Sequence, residues 1–115
     1  MPLPPLTSEQ RQQALEKAAT VRKMRAALKK DIAAGKVNVA SLVEGEFGPY
    51  AEHAEAINKT KTQDLLQAMR GVGVTKAASL MQRCSIAENR RLGGLGHDQR
   101  RRLVHAIKEH TGQDG

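Results

Sequence analysis

LLQAMRGVGVTKAASLMQRCSIAENRRLGGL, residues 65–95, is the stretch whose reading decides the fold. Leu65, Leu66 and Met69 form a short apolar run that stops at Arg70. Gly71-Val72-Gly73 then turns the chain, and Ala77, Leu80, Met81 and Cys84 recur at the i, i+3, i+4, i+7 spacing of one helix face. Two glycines around one apolar residue make a turn that reaches left-handed dihedrals without a Cβ clash. They also leave backbone N–H groups bare at the start of the next helix, with the positive end of the helix dipole behind them. Such a helix start is an anion site, and Lys76 on the first turn adds a full charge. The bland alternative is an αα-hairpin whose glycines only permit the bend. The flanking residues bear on that choice.

The chain has 115 residues, enough for one domain with a modest core. Its net charge is +7 and its pI about 10.0, so an anionic partner is expected. With no Trp, one Phe and one Tyr, it lacks the aromatic platforms on which single-strand binders stack bases, which favours a duplex. Cys84 is the sole cysteine, so no internal disulfide forms and a reducing cytoplasm fits. The start, MPLPPLTSEQ, has no signal-peptide pattern, and no apolar run approaches the ~18 residues of a membrane span. A soluble protein without a membrane partner is expected. Residues 1–36 carry 8 basic and 3 acidic side chains, residues 37–60 one against four, and residues 61–115 10 against 5. Two basic regions thus flank an acidic middle, the pattern of two contact surfaces with a spacer.

In chain order, residues 1–6 hold three prolines and read as an extended arm. Thr7-Ser8-Glu9-Gln10 is a capping-box pattern, and a helix should run from there to about residue 34, with Gly35 as its left-handed stop. Ala14, Val21, Met24, Leu28 and Ile32 fall on one side of it and should pack. Arg11, Arg22, Arg25, Lys29 and Lys36 line a neighbouring stripe, with Lys23 and Lys30 further round. A face kept for solubility normally mixes signs, so this single-sign field points to phosphate contact. Asn38 can cap a short helix to about Glu44, and Pro49 suits the first turn of another through Ala56 or Ile57. Phe47 and Tyr50 should plug a gap in the core. Lys59 and Lys61 flank a turn at which Thr60 or Thr62 caps the next helix. Beyond the hairpin, residues 87–91 form a connector that sends Asn89, Arg90 and Arg91 outward while Leu92 and Leu95 anchor it. A last helix over about 97–110 buries Leu103, Val104 and Ile107, with Arg100, Arg101 and Arg102 just ahead of that face.

The order of these parts resembles a known module. Gly71-Val72-Gly73-x-x-Lys76-Ala77, Ile86, Arg91 and Leu95 are similar to the helix–two-turn–helix of a small-subunit ribosomal protein and of DNA-repair glycosylases. LTSEQRQQALEKAA, VRKMRAALK, and RRLGGLG followed by HDQRRRL narrow the resemblance to the actinobacterial integration host factor family of nucleoid-associated proteins. It covers most of the chain, and is strong over residues 3–36 and 59–108. The resemblance implies an all-helical fold in which a long N-terminal helix packs on the two-turn module. It also implies a monomer that binds duplex DNA with little sequence preference and bends or compacts it in the cytoplasm, on the nucleoid. The family's DNA-contacting residues fall here on Arg90 and Arg91, with Lys76 in the hairpin helix. Two departures stand out: the position after Leu92, often basic in such proteins, is Gly93, and residues 45–58 are longer and more acidic than expected.

Two other classes fit less well. Glycosylases with this module begin with a catalytic Pro beside a Glu, whereas this chain begins Pro2-Leu3 and lacks zinc-ligand cysteines. His53, His97, His105 and His110 find no Cys or carboxylate at metal spacing, so neither catalysis, nor a cofactor, nor a small-molecule substrate is expected. Ribosomal proteins with the module end in a long basic tail, whereas this chain ends Gln113-Asp114-Gly115, which leaves a structural RNA binder as the alternative. The expected organisation is an arm and basic helix (1–36), an acidic connector (37–58) and the module (59–115). The expected contacts are Gly71, Val72, Gly73 and Lys76 on one phosphate stretch. Asn89, Arg90, Arg91, Arg100 and Arg101 with Lys61 take the neighbouring strand or minor groove, and Arg22, Lys23, Arg25 and Lys29 a second stretch.

Overall fold

The computed structural model describes residues 7–111, so the expected arm (1–6) and the last four residues lie outside the described part. Helix α1 (Ser8–Ala33) starts at the capping box: the Thr7 hydroxyl accepts the Gln10 N–H at 3.1 Å and the Gln10 side chain accepts the Thr7 N–H at 3.0 Å. It stops where Gly35 turns left-handed at φ 80°, with Gly35 N–H bonded to Ile32 O and Lys36 N–H to Asp31 O. Its 26 residues span about 39 Å. Only the second half packs. Met24, Leu28 and Ile32 are buried, whereas Ala14, expected on the same inner face, is exposed and Leu15 is 65% exposed. The reason is length: α1 lies against α4 (Thr62–Ala68), and seven residues, about 10 Å of helix, cannot cover 39 Å.

Helix α2 (Val39–Val43) is capped by Asn38, whose side chain accepts the Ala40 N–H at 2.8 Å, and it buries Val39, Ala40, Leu42 and Val43 against α6 (His97–Thr111). The single helix expected after Pro49 is instead a 3₁₀ turn, Gly48–His53, followed by α3 (Ala54–Asn58). Phe47 and Tyr50 pack half-buried on the core, and the Tyr50 hydroxyl donates to the Asp31 carboxylate of α1 at 2.6 Å. Neither Thr60 nor Thr62 caps α4. Its N-cap is Lys61, which makes no side-chain cap, and the Thr60 hydroxyl reaches back to Ala56 O at 3.0 Å. Both threonines are buried because the backbone around them pairs with the distant connector.

Helix α5 (Val74–Arg83) returns along α4 and also contacts α6, burying Ala77, Leu80, Met81 and Cys84 as the periodicity predicts. Burial pushes the Cys84 thiol above its ordinary range, the behaviour of a core side chain. A second 3₁₀ turn, Leu92–Gly94, seats Leu92 against α3. Leu103, Val104 and Ile107 close the core from α6. Among the described residues the fold is all-helical, with one isolated antiparallel bridge between Lys61 and Arg91. The projecting half of α1 makes the molecule long, 53 × 31 × 24 Å.

Candidate nucleic-acid interface

The hairpin turn behaves as its glycines require, with one shift of register. Gly71 sits at φ 82° and directs the chain out of α4. Val72 folds inward, 5% exposed, and its N–H is bonded to Met69 O at 3.1 Å. Its amide is therefore not offered to a ligand, contrary to the sequence expectation. Gly73 is the N-cap of α5, extended and without a side chain to cap the helix. The first amide returned to the helix is Ala77, bonded to Gly73 O at 2.9 Å. The N–H groups of Val74, Thr75 and Lys76 are thus the orphaned amides of an uncapped helix start with no acidic residue in its first turn. The anion end moves one residue along from the glycines to this turn. Val74, 66% exposed, stands at its rim. Sequence reasoning passed it over, though it falls off the Ala77–Leu80–Met81 stripe and so could have been marked as outward.

The second part is a ridge made by two segments about thirty residues apart. Thr62 N–H bonds Arg90 O and Leu92 N–H bonds Thr60 O, each at 3.0 Å, so Lys61 and Arg91 stand directly opposite one another. Facing residues of an antiparallel pair put their side chains on the same side. Like charges so placed repel, and the Arg91 guanidinium relieves part of this by donating to Lys59 O. Arg90 and Asn89 are exposed beside it. From α1, Arg25 joins the ridge: its Nε donates to the Thr60 hydroxyl at 3.1 Å. Arg22 and Lys29 lie three and four residues either side of Arg25, on the same helix stripe, and are exposed; Lys23 points further round. Lys59, absent from the expected contacts, belongs here too, paired at 3.1 Å with Glu55. Lys59, then Lys17, hold the Glu55 carboxyl below its ordinary range. Among the described residues Arg22, Lys29, Lys61, Lys76, Arg90 and Arg91 form no ion pair with a carboxylate.

Two expected contacts are placed elsewhere. Arg100 is half-buried and gives its guanidinium to three backbone carbonyls: Val43 at 2.7 Å, and Leu92 and Leu95 at 3.2 Å each. It is a clamp between α2, the 3₁₀ turn and the start of α6, not an outward cation. Arg101 is exposed but lines a separate groove along α6 with Glu44 and Lys108. The absent base after Leu92 also has a steric cause. A Cβ on Gly93 would lie 2.9 Å from Asn58 Cβ and 3.2 Å from Asn58 O, so α3 leaves no room for any side chain.

Known proteins share this fold. Residues 49–107 match the S13-like H2TH domain. The integration host factors of Mycobacterium tuberculosis and Mycolicibacterium smegmatis are each 43% identical over 104 residues, covering 90% of this chain and 94% of theirs. That of Streptomyces coelicolor is 43% identical over 99 residues, covering 86% of this chain and 88% of its own. A solved structure, sIHF bound to an 8 bp palindromic DNA, superposes with a TM-score of 0.70 at 30% identity, over 80% of this chain and 98% of that one. Fold and interface together define an all-helical protein built on an S13-like helix–two-turn–helix. Within that class, the chain belongs to the integration host factor family of actinobacteria.

Proposed function

We propose that this chain binds duplex DNA as a nucleoid-associated protein, acting as a monomer and holding the duplex chiefly by its phosphates. The observation that carries this reading is the ridge at the Lys61–Arg91 bridge, where Arg25 of α1, Lys61 at the start of α4, and Arg90 and Arg91 of the connector converge, none of them ion-paired with a carboxylate among the described residues. Phosphate contacts fix register without reading sequence, so binding is largely indifferent to base composition. The α5 amides with Lys76 take one phosphate stretch. Arg90, Arg91 and Lys61 take the neighbouring strand or reach the minor groove, where narrow geometry favours arginine. Arg22, Arg25 and Lys29 engage a further stretch, and holding two stretches on rigid elements is what bends a duplex. DNA binding by the related sIHF supports the reading. Binding and bending without a bond-making step leave no role for catalysis, and the nucleoid is the expected location.

Structural RNA binding is the competing reading, since the matched domain is S13-like. Fluorescence-anisotropy titrations of a random DNA duplex of about twenty base pairs, two helical turns, against matched duplex RNA and single-stranded DNA separate the two. Duplex DNA should bind most tightly. Equal or tighter binding to RNA would put the ribosomal-type reading in front.

A further inference from the structure

The glutamates between the two basic regions, Glu44, Glu46, Glu52 and Glu55, have no part in the binding described so far. Glu55 nevertheless stands against the interface. An open recess of about 360 Å³ lies between α1, the 3₁₀ turn Gly48–His53 and α3, walled by Lys17, Val21, Arg25, Glu52, Glu55 and Lys59. It adjoins the ridge through two of these residues: Arg25 donates to the Thr60 hydroxyl at 3.1 Å, and the Arg91 guanidinium donates to Lys59 O. Within the recess the Glu55 carboxylate meets Lys59 Nζ at 3.1 Å, and the charge of Lys17 also acts on it. Glu52 is turned to His53 instead, at 3.6 Å.

Two properties of the Glu55–Lys59 pair bear on binding. Its side chains are 82% and 66% exposed, and an exposed i, i+4 pair is held weakly, so the fold does not depend on it. Lys59 is also the one ridge cation with a carboxylate partner among the described residues; Arg22, Arg25, Lys29, Lys61, Arg90 and Arg91 have none. Carboxylate and phosphate oxygens are both strong acceptors for an ammonium group, so the one can stand in for the other.

We propose that the recess is a further phosphate site for the duplex held at the ridge, closed in the free protein by Glu55, whose carboxylate takes the place of a phosphate on Lys59 and gives way when DNA binds. The proposal rests on duplex binding at the ridge. With Glu55 present, Lys59 exchanges one anionic partner for another and adds little net charge to the contact. The competing carboxylate reads no base, so it weakens binding to every sequence alike.

The test compares salt titrations of a random duplex of about twenty base pairs for the full-length wild type, Glu55→Gln and Glu46→Gln. The last removes the same charge from an exposed position outside the recess. Glu55→Gln should steepen the log–log slope by about 0.9, the share of one phosphate contact. With affinities converging at about 1 M salt, that slope gives about eightfold tighter binding at about 0.1 M. Glu46→Gln should change affinity less than about twofold, because screening over a Debye length of about 10 Å keeps charge effects local. In a Lys59→Gln background, adding Glu55→Gln should change neither slope nor affinity. Equal effects of Glu46→Gln and Glu55→Gln would reduce the matter to net charge and overturn the proposal. So would an unchanged slope in Glu55→Gln, or a Glu55 effect that survives the loss of Lys59. Wild-type protein that binds the duplex no more weakly than Glu55→Gln overturns the competition alone; wild-type protein that binds no duplex overturns the ridge reading with it.

Discussion

At Ser85 the backbone takes φ 58°, the single non-glycine with a positive φ among the described residues. It closes α5 as Gly35 closes α1: Ser85 N–H bonds Gln82 O and Ile86 N–H bonds Met81 O, with Ile86 and Met81 both buried. A left-handed L-residue costs about 1–2 kcal/mol, and the extra freedom of an unfolded glycine returns about 0.5–1 kcal/mol of that. Ser85→Gly should therefore stabilise the fold by about 0.5–1 kcal/mol, read as a higher urea midpoint at unchanged slope. Local rules made residues like this legible: the Thr7–Gln10 box, Gly35 and the α5 stripe all depend on neighbours within a turn or two. Arg100 shows where such legibility stops. In sequence it is one of three consecutive arginines, and nothing local separates a clamp from a phosphate contact. Its strongest partner, Val43 O, is 57 residues away.

Between elements, that clamp makes a prediction. Arg100→Lys keeps the charge but cannot reach three carbonyls, and losing charge-assisted hydrogen bonds should cost about 2 kcal/mol in chemical denaturation. The salt dependence of DNA binding by the folded variant should not change; a shallower slope would return Arg100 to the DNA. The acidic connector also finds a structural role here. Tyr50 donates to Asp31, and that hydrogen bond, then burial, then the Asp31 charge hold the phenol above its ordinary 10.0. A raised folded value means that the bond contributes fully below pH about 10 and is lost as pH rises through that higher value. Tyr50→Phe should lower stability near neutrality and remove this part of the alkaline decline, measured by denaturation from pH 8 to 11. The connector's tie to α1 through Tyr50 is hard to read from sequence, because four glutamates read as a solvated spacer. The interface ridge was less legible still. Lys61 and Arg91 meet through a two-bond bridge that leaves no strand-like pattern in either segment.

Over the whole molecule, the long axis comes from an α1 that outruns its core. Its first half is held by its own cap and propensity, while the second half is anchored by Met24, Leu28 and Ile32. The sequence marked the helix correctly but not where packing ends, since Ala14 and Met24 share one stripe and only the length of α4 decides which is covered. The anchored half carries Arg22, Arg25 and Lys29 beside the ridge, so in the proposed complex the cations of helix and module would meet one duplex as a rigid unit. The measurement that tests this most directly is a salt titration of duplex binding for wild type and the Arg90→Ala, Arg91→Ala double variant. Each phosphate contact contributes about 0.9 to the log–log slope. The variant should bind every duplex sequence more weakly, with a slope shallower by about 1.8. An unchanged slope, or a loss confined to one sequence, would contradict the phosphate-held interface.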